Sequence, residues 1–407
     1  MSYISKSVVQ FGDSGSIDPF GRARVSTPYT IFDSKQIYDS SPLSFDDQQT
    51  SGGGTSSTYN ANGASTTIAV STATPGTRVR QSKRYLNYQP GKGQQIFITF
   101  DMIEGVNGVT KRAGYFDGNN GFYLQLQGST VSICRRTSIS GSPTDYATSQ
   151  VNWNLDPMDG TGPSGYTLDI TKSQILMIDM EWLGVGRVRC ALVMKGIPYY
   201  FHEFTWSNEQ HGVYMPNPNL PVRYEISNNG AGAATGLECI CSSVMSEGGI
   251  QENGFVFATD RGSTGFTTNN DTNLYPILGL RLNSAKLSGT ARVHSVSIMS
   301  TTTTAARWGL FLNPTISGTA LTYSSVSNSV CQISNTSTNA STISVEGTYL
   351  YGGYINQSTT GDYTAIIPVP VYLGSTIAGV SDQIILGVSR LIGAAETFFC
   401  SLNWIEG

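Results

Sequence analysis

Two carboxylates, Asp179 and Glu181, form the strongest acid pair in this 407-residue chain. Two apart on a strand, they share a face at roughly 7 Å, inside the roughly 5 to 10 Å that glycoside hydrolysis uses. The following strand, however, offers Arg187 and Arg189 on its polar face. Cross-strand guanidiniums lower both carboxyl pKa values, the wrong direction for a general acid, so the pair reads as structural. Gly12-Asp-Ser-Gly15 has the letters of a serine nucleophile but lies in a tail, with no scaffold for a base or an oxyanion hole. His202 and Glu203 are adjacent on a strand and point to opposite faces. Asp117-Gly-Asn-Asn-Gly121 and Asp156-Pro-Met-Asp-Gly-Thr-Gly162 hold oxygens that calcium could use, yet their composition is that of turns. The six cysteines (134, 190, 239, 241, 331, 400) contain no C-x-x-C pair, and the three histidines are not spaced to complete a zinc site. Cys239 and Cys241, two apart on a strand, are expected on one face. No nucleotide-binding, metalloprotease or hydrolase motif stands in a strand–helix setting. No catalytic residue, metal or cofactor is expected. Among the loop aromatics, Trp153 and Trp206 are the candidates for glycan or subunit contacts, because Tyr and Trp serve both roles.

The elements that must position these residues are strands. Only 13% of residues are charged, while 45 Gly and 21 Tyr accompany abundant Ser, Thr and Asn. This is the composition of a β-rich protein with short turns. No amphipathic helical run of twelve residues occurs. Strands are expected at 95–101, at 121–136 around a Gln-Gly turn, at 174–182, 186–194, 197–204, 221–227 and 237–244. Leu183-Gly-Val and Lys195-Gly are hairpin links. The expected fold is mainly β: an extended N-terminal arm followed by two antiparallel β-sandwich or jelly-roll-like domains.

The domains divide as arm 1–45, Gly/Ser/Thr-rich connector 46–76, sandwich 77–249, linker 250–273 and second sandwich 274–407. Within the connector only Thr67–Val70 reads as a strand. The second sandwich holds five Lys or Arg and five Asp or Glu, half the charge density of the rest. Such a surface is expected in part to lie in subunit contacts. Pro368 and Pro370 place their segment at a sheet edge or bulge. The net charge of −4 gives no electrostatic reason to expect a nucleic-acid or membrane partner. No apolar run reaches the ~20 residues of a membrane span, and no signal peptide is read. Free thiols fit folding in a reducing cytoplasm.

The arm Asp18-Pro-Phe-Gly-Arg-Ala-Arg-Val-Ser-Thr-Pro-Tyr-Thr-Ile-Phe-Asp-Ser-Lys-Gln36 cannot be helical, because Pro19 and Pro28 forbid it. Its anchors would be Phe20, Tyr29 and Phe32, with Arg22 and Arg24 as polar latches. Such a segment buries its rings on the body of its own chain, a sister subunit or a neighbour. The expectation is a neighbour, so removing 1–45 should leave a folded body.

Asp18–Ser34, Arg80–Lys92, Trp153–Gly165 and Glu181–Arg189 together resemble a family of structural proteins from tailed-bacteriophage virions. The order Trp182, Arg189, Tyr200 is similar to that of concanavalin-like lectin sandwiches. The phage resemblance covers most of 18–250. It implies a non-enzymatic virion component, folded in the host bacterial cytoplasm, partnered by itself as a homotrimer and by other virion proteins. Baseplate, fibre or neck is favoured, with capsid decoration or head fibre as the alternative. A receptor-binding tail protein recognising a host surface glycan is the further alternative.

Overall fold

The computed structural model describes residues 16–19, 21–249, 254–300, 305–355, 362–392 and 394–407. Every strand pairing in it is antiparallel, and the described residues hold only two short 3-10 turns. No described helix is long and apolar enough to cross a membrane. The chain divides into two compact units, 1–251 and 252–407.

The first unit contains β1 (Tyr29–Lys35), β2 (Phe45–Gly52), β3 (Thr55–Asn60), β4 (Ser65–Val70), β5 (Gly76–Ser82), β6 (Gln94–Asp101), β7 (Val109–Phe116), β8 (Gly121–Gln127), β9 (Thr130–Thr137), β10 (Thr144–Ser149), β11 (Gln174–Met180), β12 (Val188–Met194), β13 (Ile197–Phe204), β14 (Val222–Asn228) and β15 (Thr235–Ser246). An eight-stranded sheet runs β13-β12-β11-β6-β15-β4-β3, with β1 also on β15. A seven-stranded sheet runs β10-β9-β8-β7-β14-β5-β2. Period-2 alternation aims Ile96, Ile98, Leu176 and Ile178 from the first sheet at Tyr115, Leu124, Ile133 and Tyr224 from the second, giving one shared core. Lys195 (φ 53°) and Gly196 (φ 81°) make the tight turn that joins β12 to β13. Both residues sit at positive φ, as the hairpin twist requires.

Three expectations are corrected here. The stretch 46–76 is not a connector: β2 closes the seven-stranded sheet, and β3 and β4 close the other, with Ile68 and Val70 in the core. Its Ser and Thr side chains hide the strands from a hydrophobic pattern, although Thr favours a pleated surface. The linker 250–273 likewise contains strands of the second unit, Phe255–Asp260 and Phe266–Thr267. A β-bulge in the β15–β6 pairing falls between Cys239 and Cys241. It resets the alternation, so Cys239 is buried and Cys241 exposed.

The second unit is also a sandwich. Its five-stranded sheet orders Phe255–Asp260, Thr397–Glu406, Ala291–Ser300 and Asp362–Tyr372, with Phe266–Thr267 also on Thr397–Glu406. The six-stranded sheet orders Ser324–Ser325, Cys331–Ser334, Leu274–Leu282, Gln383–Arg390, Ala306–Leu312 and Thr348–Ile355. Val296, Ile298, Leu402 and Trp404 meet Leu280, Trp308, Leu310 and Leu386 in its core. Asp362–Tyr372 is an edge strand, and its register jumps from Ile366 to Val371 across the two prolines. A residue without an N–H is tolerated at such a place.

Candidate functional site

The outer face of the eight-stranded sheet carries a polar row. Glu203, Arg189, Asp179 and Gln95 are successive cross-strand partners on β13, β12, β11 and β6. A sheet face built this way would ordinarily meet water. Here Asp179, Glu181 and Arg189 are wholly buried. What covers them is the arm.

The visible start of the arm folds into a small loop. Asp18 N–H donates to Arg22 O (2.8 Å) and Arg24 N–H to Ser16 O (2.9 Å), while Gly21 turns the chain at φ 77°. Asp18 holds the loop by accepting from Arg22 N (2.7 Å) and Arg22 Nε (2.5 Å). From this loop Arg22 reaches Glu181 Oε1 (2.8 Å) and the Gly91 carbonyl (3.4 Å). Arg24 pairs with both Asp179 and Glu247, and the Gln95 amide oxygen accepts from it. The body answers in kind. Arg189 pairs with Asp179 (2.6 Å) and donates to the Ile17 carbonyl; Arg187 donates to Pro19 O (2.8 Å) and pairs with Glu203 (3.1 Å). Tyr200 adds its hydroxyl to Asp179 (3.3 Å) under the Arg189 guanidinium.

Local sequence makes the seat. After β11 the chain doubles back through Leu183 and Gly184, both at positive φ, and this corner presents Glu181. Tyr88 accepts from Trp182 N–H (2.9 Å), and the Trp182 indole donates to Met215 O (2.9 Å), fixing the corner. Gly93 leaves space that the Glu247 carboxylate fills; a β-carbon there would collide with it. A cleft of about 230 Å³ opens beside the network, bounded by Asp18, Arg22, Arg24, Lys92, Gly93 and Glu247.

The electrostatics follow from burial. Burial and the nearby Asp18 push the Glu181 carboxyl up to about 8, against the opposing pull of Arg22. Burial raises Glu247 as well, despite Arg24. For Glu181 this corrects the expectation that flanking arginines lower its carboxyl. Asp179 meets the Arg189 of the next strand, and Arg187 reaches Glu203 and Pro19. Carboxylate oxygens of Asp18, Glu181 and Glu247 lie within 4.8 Å of one another, and the Arg22 and Arg24 guanidiniums supply the positive charge among them. His202, lowered to about 4 by burial, accepts from Asn154 N–H (3.3 Å) and is a neutral structural group.

The anchors fall out differently from expectation. Phe20 lies outside the described residues. Arg22 and Arg24 pair with Glu181, Asp179 and Glu247 of their own chain. Phe32 belongs to the core of the first unit, edge-to-face with Phe45 at 5.8 Å. Tyr29 is half exposed. Removing 1–45 would therefore delete β1 and two core rings. Trp153 is buried on Phe201 (4.1 Å), its indole donating to Thr148 O (3.2 Å), and is no open glycan platform. Trp206 is half buried; Arg135 covers it at 4.6 Å and also stacks on the exposed Tyr146 at 4.5 Å. Asp18 and Glu247 escaped the sequence reading: Glu247 meets Arg24 from 223 positions away, and the Asp18–Arg22 contact four residues apart has no helix or strand period to mark it.

No family model and no curated protein matches the chain. Solved structures similar to it include a protein of unknown function from Shewanella oneidensis MR-1 (9% identity, TM-score 0.34, 58% of this chain and 92% of that one). Others are a legume lectin-like domain from Entamoeba histolytica (10%, TM-score 0.32, 54% and 98%) and a Bacillus licheniformis β-glucanase (11%, TM-score 0.31, 53% and 96%). Likenesses this faint say nothing of what the chain binds or does.

Proposed function

We propose that the chain is a non-enzymatic structural component of a tailed-phage virion, tail-associated and assembling as a homotrimer or another symmetric oligomer. One observation carries the reading. Three of the four segments that resemble the phage family, 18–34, 80–92 and 181–189, converge on the arm seat through Arg22–Glu181, Arg22–Gly91 and Arg187–Pro19. What those segments have in common is thus the seating of the arm, which supports a structural reading of them. Exposed Val25, Tyr38 and Leu43 on the arm, and Phe255 and Val256 on an edge strand of the second unit, add apolar surface for contacts. The test is mass spectrometry of purified virions of a phage that encodes the chain, followed by imaging of the labelled protein in the particle. Label at the tail is expected. Absence from virions would overturn the reading, and label on the head would move it to capsid decoration.

A receptor-binding role draws on the Tyr146–Arg135–Trp206 stack, whose outer ring is open to a sugar. It predicts hits on a glycan array that a Tyr146→Ala, Trp206→Ala protein loses. An array without hits weighs against it.

A further inference from the structure

We infer that one proton, shared between Glu181 of the body and Asp18 of the arm, makes the arm seat a pH-sensitive latch. The inference concerns the seat itself and does not depend on where the protein works.

The seat crowds like charges: carboxylate oxygens of Asp18, Glu181 and Glu247 lie within 4.8 Å of one another. From the arm come Asp18, Arg22 and Arg24; from β11 and the corner after it, Asp179 and Glu181. β12 brings Arg189, and also Arg187, which pairs with Glu203 of β13; Tyr200 of β13 leans on Asp179. Glu247 follows β15, and before β6 stand Tyr88 and Lys92, the latter donating to Gln89 Oε1 (3.0 Å) and the Gly249 carbonyl (2.8 Å). Among the described residues, the connected network sets the carboxylates of Asp18, Asp179, Glu181 and Glu247 beside the guanidiniums of Arg22, Arg24 and Arg189. An uncompensated charge in a buried site is expensive. Geometry says which carboxylate takes the proton. Glu181 Oε1 accepts from Arg22, while Oε2 is buried without a hydrogen-bond partner among the described residues, in a residue with no exposed surface. Asp18 is its neighbour, and each Asp18 oxygen keeps a lone pair after serving Arg22. A proton on Oε2 gives that atom a hydrogen to donate and removes like charges facing each other across the joint.

The direction follows from linkage. Docked, Glu181 keeps its proton up to about 8. Lifted into water, a glutamate releases it near its ordinary value of about 4.3. Seating is therefore at full strength in acid. It weakens as pH rises between about 5 and 8, by at most roughly tenfold per unit from this group. Above that it levels off. Glu247, also raised, acts with the same sign.

Hydrogen-exchange protection of the arm amides in the full-length protein, corrected for intrinsic rates, reads the seating directly. The Arg22 and Arg24 amides are the reporters. From pH 6 to 8.5 the wild-type protection should fall by about tenfold or more. Glu181→Gln keeps the group neutral at every pH, so its protection should change by less than about threefold. Asp18→Asn, which leaves Glu181 titratable, should move the fall to lower pH and provides the reading if Glu181→Gln fails to fold. A flat wild-type profile, a Glu181→Gln profile parallel to wild type, or an unmoved midpoint in Asp18→Asn would each overturn the latch.

Discussion

Asp179 is the residue on which the arm seat turns, because Arg24, Arg189 and Tyr200 all converge on its Oδ2. Asp179→Asn leaves two guanidiniums facing a neutral amide in a buried place. A loss of about 3–5 kcal/mol is expected in urea unfolding; a loss near zero would mean that solvent already reaches the pair. The two arm aromatics separate cleanly at this scale. Phe32→Ala removes a core ring and should cost roughly 3–5 kcal/mol. The half-exposed Tyr29 should cost about 1 kcal/mol or less when replaced by Ala. The Asp179–Arg189 pair was legible in the sequence because strand register alone brings such residues opposite one another. Glu181 was misjudged for the complementary reason. Its environment is made by Asp18 and Arg22, some 160 positions away, and no local pattern announces that.

Elements were legible wherever apolar alternation is strong. β6 and β11 to β15 lie where the periodicity put them, and Pro368 and Pro370 marked a true edge. Strands β2 and β3 were not readable, since Ser, Thr, Gln and Gly give no hydrophobic period; their place is set by neighbours already in the sheet. The β12–β13 turn offers a direct test of local chemistry. Lys195 sits at φ 53°, a region that asparagine tolerates better. Lys195→Asn should stabilise by about 0.5–1 kcal/mol. Gly196→Ala at φ 81° should destabilise by about 1–2 kcal/mol. Thermal melts of the two variants should move in opposite directions; movement in the same direction would remove the turn assignment.

The whole chain carries two hydrophobic cores, each closed within its own compact unit. Calorimetry should therefore resolve two transitions. Trp404→Ala, in the second core, should lower one of them by roughly ten degrees and leave the other within a degree or two. A single transition that shifts as one would show that the cores melt together. The low charge of the second unit was visible in composition alone, whereas the arm's attachment to its own chain was not. Composition can report that a surface is sticky; it cannot name what the surface meets.

The spacing along the chain of the arm's ionic partners also sets an order of events during synthesis. Arg22 closes on a residue 159 positions later, and Arg24 on one 223 positions later. At typical elongation rates of about 5–20 residues per second, that second partner emerges roughly ten to forty seconds after the arm. Arg22 and Arg24 are thus made long before they can be placed. Until those partners emerge Arg22 and Arg24 have no seat on the body of the nascent chain, and such high contact order is what slows β proteins and leaves them open to capture. A chaperone, or a sister chain growing on the same message, has that interval in which to reach the arm before its own body does.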